Sequence, residues 1–365
     1  MMFGGHLTAG PNVPSKCMGT MQEASVNESS RRRPVTIKDL ASQLGIHPST
    51  VSRVLHSEAE VARGAASAET ARRVRELARK LEYYPHPQAA GLRTGRTSLL
   101  GAIVPRLSDL VLAMMYEGVE EAAAELNYSA FVMNSRDDPG EQRRKTEIML
   151  ARRVDGLIFG DAHLDGTLMP ELDRRGIPFV LMNRRLDGFP SATCDDILGG
   201  ELVADHLWEK GHRQVAVAAG EAYASTGVDR TSGFVNRWRG LGGDIEPGAV
   251  VWSGFDTAGG SQAVETILQT ARVMPTAVFA VNDFAAIGAM GALRSRGLTV
   301  GQDIAVVGFN DTPIAAQLPI PLSSVRSPML EIGKAAVQLL RKVLNRESTD
   351  SVRLKPDLQV RESSG

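Results

Sequence analysis

Cysteine is scarce in this chain: its 365 residues include two, Cys17 and Cys194. So few exclude a disulfide scaffold, and with no CxxC pair and no histidine at ligand spacing they offer no zinc site. Cys194 is expected as a small buried hydrophobe and Cys17 as a spectator. The chain also lacks any uncharged apolar stretch of the roughly eighteen residues that a membrane helix needs. Its first residues, MMFGGHLTAGPNVPSK, show no basic start followed by an apolar run, and Lys38 and Asp39 interrupt a twin-arginine reading of Arg31-Arg32-Arg33. No export signal is read, and a cytoplasmic location is the expectation.

Absent too are a P-loop, a Gly-x-Gly-x-x-Gly after a strand, a His-Glu-x-x-His pair and a Gly-x-Ser-x-Gly elbow. No catalysis is expected, and neither a cofactor nor a metal. What remains is an average globular composition, 43% hydrophobic and 23% charged, which excludes a mainly disordered or collagen-like chain. The length allows one large domain or two to three ordinary ones.

A net charge of −1 conceals an asymmetry. Residues 31–96 carry 13 Lys/Arg against 6 Asp/Glu, whereas residues 97–365 carry 27 against 34. A short basic head on a long acidic body reads as a polyanion-binding module joined to something else. Residues 1–33, rich in Gly, Ser, Asn and Pro with no apolar period, read as a disordered extension, with Met18 and Met21 as alternative starts.

From Val35 the pattern turns helical. Thr36 followed by Asp39 resembles a capping box; Ile37, Leu40, Ala41 and Leu44 recur at helical spacing, and Gly45 stops the run. A second helix starts at Pro48, where a missing N–H is harmless, and turns Val51, Val54 and Leu55 inward. A third runs from a Ser67 cap to about Glu82. The first pair has what a helix-turn-helix requires: small Ala41 at the crossing, Gly45 in the turn, and Ile46, Val51 and Val54 holding the second helix. Its outer face then presents Ser49, Thr50, Ser52, Arg53 and His56. Hydroxyls there reach phosphates or base edges, and an arginine grips guanine O6 and N7 with two bonds.

Past the break at Tyr84-Pro85-His86-Pro87, Gln88–Arg93 is expected to form one short helical turn. Beyond Leu99 apolar strands alternate with amphipathic helices. Strand-like runs fall at 99–105, 129–133, 156–160, 178–182, 215–219, 276–281 and 304–309. Between them lie helices such as Met114–Leu126, Glu141–Arg152, Leu198–Lys210, Ser261–Ala271 and Phe284–Arg296. Continuous apolar strands with helices between them predict parallel sheets covered on both faces, with ligands beyond the strands' carboxyl ends.

The run of landmarks resembles the lactose/galactose-repressor family of bacterial transcription regulators over residues 35–363. They are Val35-Thr-Ile-Lys-Asp-Leu-Ala41, Pro48-Ser-Thr-Val-Ser-Arg-Val54, Leu92-Arg-Thr-Gly-Arg-Thr97, Val154-Asp-Gly-Leu-Ile158, Lys210-Gly-His-Arg213, Pro275-Thr-Ala-Val-Phe279, Asn282-Asp283 and Leu322-Ser-Ser-Val-Arg-Ser-Pro328. The resemblance implies an α/β fold: a small all-α helix-turn-helix domain, then a two-lobed, doubly wound, periplasmic-binding-protein-like domain. The expected divisions are a 1–33 extension, a 34–84 DNA-binding domain, an 85–97 hinge helix and linker, and a 98–365 effector-binding and dimerisation domain. In the last, lobe 1 takes about 98–195 and 327–349, and lobe 2 about 196–326 and 350–363.

By the same resemblance Thr36 joins Ser49, Thr50, Ser52, Arg53 and His56 on the DNA-facing surface, with Ser49 and Arg53 as base readers. Leu92 of the hinge wedges into the minor groove and kinks the duplex. The segment between His56 and Ser67 is longer than the family leads one to expect and should loop out. In the body, Arg230 becomes the principal ligand hydrogen-bonder, with a structural ion pair to Asp229 as its alternative. Asn183, Asn282 and Asn310 map to the cleft, Phe255 to an aromatic wall, and Val111 and Leu112 to positions where aromatics often stack.

Asn183 and Asn310 stand where Asp is expected, so the pocket reads as less anionic and less aromatic than usual. Its effector is expected to be carbohydrate-related, and smaller, less ring-like or sugar-acid-like. His206 and His212 are expected to cap or pack, Asp195 to face the cleft, and Asp196 to cap the next helix. The resulting expectation is a homodimeric repressor on a pseudo-palindromic DNA operator, controlled by a small-molecule effector. A solute-binding protein without DNA function and an activator of the same architecture are the alternatives.

Overall fold

The computed structural model describes residues 35–56, 66–81, 83 and 96–365. Cys17, the loop around Arg63 and the hinge with Leu92 lie outside the described residues. The chain divides at 86/87 into two compact units.

The first unit holds α1 (Ile37–Leu44), α2 (Pro48–His56) and α3 (Ala68–Lys80). Thr36 caps α1 as its spacing foretold: the Thr36 amide donates to Asp39 Oδ2 (2.7 Å) while the Asp39 amide donates to Thr36 Oγ1 (3.3 Å). Gly45 ends α1 with φ 66°, a left-handed turn that only glycine adopts at little cost. Ser67 caps α3 by accepting from the Thr70 amide. Leu40, Ala41, Val51, Val54, Ala71, Val74 and Ala78 form the core that these helices share.

The second unit contains two six-stranded sheets. The first is built from β1 (Leu99–Val104), β2 (Ser129–Asn134), β3 (Gly156–Phe159), β4 (Phe179–Met182), β5 (Ser191–Cys194) and β11 (Val352–Leu354), in the order β11-β5-β4-β3-β1-β2. The second comprises β6 (Val215–Ala218), β7 (Val250–Val251), β8 (Ala277–Ala280), β9 (Ala305–Asn310), β10 (Ser323–Arg326) and β12 (Asp357–Gln359), in the order β12-β10-β9-β8-β6-β7. Every pairing is parallel except β10 with β12. The two sheets thus repeat one winding, whose order reverses at β1/β3 in one lobe and at β6/β8 in the other. Ligand crevices open at such points. The final crossing between lobes lies between Leu354 and Asp357: the lobe boundary expected at 350 moves, because Val352–Leu354 completes the edge of the first sheet beside β5.

Helices α4 (Leu110–Glu125), α5 (Pro139–Ala151), α6 (Leu168–Arg174) and α11 (Met329–Leu344) belong to the first lobe. The second holds α7 (Asp196–Glu209), α8 (Ser225–Gly240), α9 (Thr257–Thr270) and α10 (Asp283–Ser295). Several begin earlier than periodicity predicts. Asp109 accepts from the Val111 amide and so starts α4 at Leu110 rather than Met114, which places Val111 and Leu112 on its first turn. Buried Cys194 ends β5; burial pushes its thiol up to about 12, so it behaves as a small hydrophobe.

Three helix pairs touch backbone to backbone through reciprocal glycines: Gly118 and Gly333 between α4 and α11, Gly200 and Gly233 between α7 and α8, Gly260 and Gly288 between α9 and α10. A β-carbon at any of these six would press into a carbonyl group of the facing helix. Gly200→Ala would drive a methyl against the Arg230 carbonyl and the Phe234 amide. Overpacking of that kind costs about 1–3 kcal/mol. The expected outcome is a loss of that size in chemical denaturation; a change below about 0.5 kcal/mol, the range of ordinary surface substitutions, would show that the helices separate freely.

Candidate functional site

On the first unit, Ser49, Ser52, Arg53 and His56 follow the i, i+3, i+4, i+7 spacing of one helical face, opposite buried Val51 and Val54. Arg53 is exposed; Thr50 and Ser52 are half-buried. Ser49 is partly engaged, its Oγ 2.7 Å from His47 Nδ1. Thr36 is the α1 cap, so its hydroxyl already donates to Asp39 (2.7 Å). His56 closes α2, and its side chain lies outside what is described.

In the second unit all seven residues expected to meet an effector line one cleft of about 320 Å³ between the lobes. Val111 and Leu112 start α4, and Asn183 follows β4. From the opposite lobe come Arg230 on α8, Phe255 before α9, Asn282 before α10 and Asn310 at the end of β9. Non-glycine residues with positive φ cluster here: Arg136 (60°), Asp137 (58°), Asn183 (67°) and Asn310 (106°) all line the cleft. Such backbone costs of order 1–3 kcal/mol per residue and concentrates at binding sites.

Arg230 is 3% exposed and held on three sides. Its Nε donates to Asp196 Oδ1 (2.7 Å), Nη1 donates to the Val281 carbonyl (2.8 Å), and the guanidinium carbon lies 3.8 Å from the centre of the Phe309 ring. The expected roles of the neighbouring aspartates do not hold, and neither lines the cleft. Asp195 caps α7 by accepting from the Leu198 amide, whereas Asp196, first in the helix and 5% exposed, is the partner of Arg230. The strand ends at Cys194 and the helix begins at Asp196, so helical geometry governs the pair. Asp229 is not that partner, for both its oxygens accept from Arg185 of the other lobe (2.7 and 2.8 Å). Asn282 is a positioning residue: its Oδ1 accepts from the Ala285 amide and its Nδ2 donates to the Phe255 carbonyl. Asn310 is 3% exposed, and its Oδ1 has no hydrogen-bond partner among the described residues.

Sequence reasoning missed the group at the centre of the lobe contact. Arg184, 4% exposed, donates to both oxygens of Asp137 (2.7 Å each). His163 Nε2 lies 3.2 Å from Asp137 Oδ1, and Tyr223 of the second lobe donates its hydroxyl to Oδ2 (3.3 Å) while stacking on His163 at 4.2 Å. Burial works against ionisation of Asp137, but the bonds from His163 and Arg184 prevail and hold its carboxyl well below the usual carboxylate range. Asp109, Asp137, Glu221 and Asp256 line the cleft, and so do Tyr223 and Phe284 beside Phe255. Four carboxylates and three aromatic rings thus line the pocket that was expected to be less anionic and less aromatic than usual; all but Phe255 come from strand ends and helix starts the motifs did not mark. His206 and His212 pack as expected, on Ser364 Oγ (2.8 Å) and Thr276 Oγ1 (2.9 Å).

Residues 36–86 match the family described as bacterial regulatory proteins, lacI family, and residues 204–364 match a periplasmic binding protein-like domain. The HTH-type transcriptional repressor PurR of Aliivibrio fischeri (strain MJ11) is 30% identical, over 84% of this chain and 90% of that protein. Catabolite control protein A of Priestia megaterium is 28% identical over 90% of this chain and 99% of its own length. Among solved structures, the lac repressor dimer bound to operator and the anti-inducer ONPF matches with a TM-score of 0.81 at 25% identity, covering 91% of this chain and 99% of that one. A complex of the transcriptional regulator CelR with cellobiose matches with a TM-score of 0.67 at 29% identity, covering 91% and 100%.

The depressed pKa of Asp137 carries a sign. Its pairing contributes stability that is fully present above the unfolded carboxylate value near 3.8 and is lost progressively as pH falls below that value toward the lower folded one. Asp137→Asn strands the buried Arg184 charge and should cost about 3–5 kcal/mol near neutral pH. It should also flatten the acid limb of urea-unfolding stability measured from pH 7 to pH 3. An acid limb as steep as the parent's would mean that another group carries the linkage.

Proposed function

We propose that this chain, which belongs to the lacI family of bacterial regulatory proteins, is a sequence-specific transcriptional repressor whose operator affinity is set by a small molecule held between its lobes. The observation that carries this reading is the pairing, in one chain, of a helix-turn-helix bearing exposed Arg53 with a two-lobed unit whose cleft gathers all seven residues marked for effector contact. On this reading α2 enters the major groove, Ser49 and Arg53 read base edges, and Thr36, Thr50, Ser52 and His56 meet the backbone or neighbouring bases. Leu92 acts as the minor-groove wedge. A homodimer presents two heads to a pseudo-palindrome, since two-fold symmetry in the protein is mirrored in the site. The protein then works in the cytoplasm, where the DNA is, and carries no catalytic step.

The effector is read as carbohydrate-related. The cleft offers donors on Arg230, acceptors on Asn310 and aromatic faces on Phe255 and Tyr223, and the CelR structure holds cellobiose. Effector and operator then influence one another through lobe closure, with a reciprocal coupling of about 1–3 kcal/mol. A solute-binding protein without DNA function would have no use for residues 36–86, which match the lacI family.

Two full-length variants separate the functions. A duplex selected from a randomised pool at near-physiological salt provides the operator. Arg53→Ala should lose about 1–3 kcal/mol of discrimination against a mismatched base while ligand binding persists. Arg230→Ala should abolish the ligand response while operator binding persists. Loss of both activities in a variant that circular dichroism shows to be folded, or selection of no consensus, would refute the assignment.

A further inference from the structure

The loop that follows β3 buries a second carboxylate behind the Asp137 cluster. Asp161 is 1% exposed, and neither of its oxygens has a hydrogen-bond partner among the described residues. Buried polar atoms are almost always paired, and a charged one left unpaired is the most costly kind. The cation that acts on it, Arg184, already gives both ends of its fork to Asp137 (2.7 Å each). The loop after β2 brings Asp137 and buried Ser135 to this place, and α5 brings uncharged Gln142, whose side-chain amide donates to the Asp161 carbonyl (3.0 Å). His163 stands two residues further along the same loop. Tyr223 arrives from the second lobe with Glu221 beside it, donates to Asp137 and stacks on His163. The Tyr223 carbonyl also accepts from the Leu164 amide (2.9 Å), so the lobes meet directly on this group.

We propose that Asp161 is a proton-binding site that couples the contact between the lobes to pH: the contact holds with Asp161 neutral and loosens when its proton leaves to solvent. With Asp161 neutral, Arg184 balances Asp137 and the buried group has no net charge. With Asp161 ionised, two carboxylates compete for one guanidinium, and one negative charge is left over unless His163 takes up a proton. An uncompensated buried charge costs several kcal/mol. Water relieves that cost, and it reaches the group when Tyr223 and Leu164 of the facing lobes draw apart. The coupling is reciprocal, so anything that closes the lobes also draws a proton in.

Burial pushes the Asp161 carboxyl up to about 6, against the polar groups of Ser135 and Gln142 and the charge of Arg184, while Asp137 adds to the rise. The proton is therefore exchanged well above the range of an ordinary carboxylate. Asp137, held down by the same arginine, stays ionised throughout. One guanidinium thus keeps one aspartate charged and leaves its neighbour free to titrate.

The Leu164 amide reports the contact without any label, because it donates across the lobes. The test is hydrogen exchange of the full-length chain between pH 5 and pH 8, corrected for the intrinsic pH dependence of exchange. Protection at Leu164 is expected to fall about tenfold across that range in the parent, the effect of coupling to one proton. It should stay high and level in Asp161→Asn, which keeps the size of the side chain and removes its charge, and in Asp161→Ser. Level protection in the parent overturns the proposal without any variant. So does a pH dependence that persists in the Asp161 variants; its loss in His163→Gln would then assign the proton to the histidine. Urea unfolding supplies the second readout. A raised carboxyl stabilises the fold below its unfolded value and loses that contribution as pH rises through its folded value. Asp161→Asn should therefore raise the urea midpoint more at pH 8 than at pH 5, and an equal shift at both would count against a proton held at Asp161.

Discussion

The ion pair of Arg230 with Asp196 is the constraint around which the second lobe is arranged. Both partners are almost wholly buried, and a buried charge left without its partner costs several kcal/mol. Each is therefore obliged to stay where the other is. Asp196 sits at the start of α7 and Arg230 in the second turn of α8, so the pair sets how those helices lie together. Gly200 and Gly233 make this possible by letting the two backbones meet. The same guanidinium reaches the Val281 carbonyl at the end of β8 and lies over Phe309 of β9. One side chain thus ties two helices to two strand ends, and its remaining donors face the cleft because every other direction is filled.

Across the cleft the first lobe has its own fixed point in Asp137, which accepts from Arg184 of its own lobe and from Tyr223 of the opposite one. Arg185 on Asp229 and Ser225 adds a second clasp outside the ligand space. The lobes therefore touch through polar groups that are geometrically exacting and individually breakable. Such contacts suit two discrete arrangements better than continuous bending, and an effector that favours one of them shifts the population by its difference in affinity. Because several of these residues are also lining residues, a ligand and the lobe angle act on the same atoms.

Much was legible along the chain. The helix-turn-helix could be read because its signals are local: the Thr36–Asp39 cap, the glycine at 45, and apolar residues three and four apart. The main strands could be read as continuous apolar runs because parallel strands are buried on both faces. All seven residues assigned to the cleft by resemblance do meet there. The reading went wrong where contacts depend on the third dimension. Asp195 was expected in the cleft and Asp196 as the cap, but the helix begins at Asp196, so Asp195 is its cap and Asp196 pairs with Arg230. The helix expected from Met114 begins instead at Leu110, because Asp109 caps it there, so Val111 and Leu112 lie on its first turn. The cleft was expected to be less anionic than usual because two asparagines stood at marked positions; Asp109, Asp137, Glu221 and Asp256, which also line it, come from elements the motifs did not cover.

The division follows from the range of the forces involved. Caps, turns and apolar periodicity are set by residues within a few positions of one another, so the sequence by itself determined the three-helix head, the alternation of strands and helices, and the family. Arg230 with Asp196, Arg184 with Asp137, and Arg185 with Asp229 join residues 34 to 47 positions apart. No local signal distinguishes those partners from the other arginines and aspartates of the chain. Only the folded arrangement decides which of these charges neutralise one another inside the protein, because pairing is settled by distance and burial once the helices have docked.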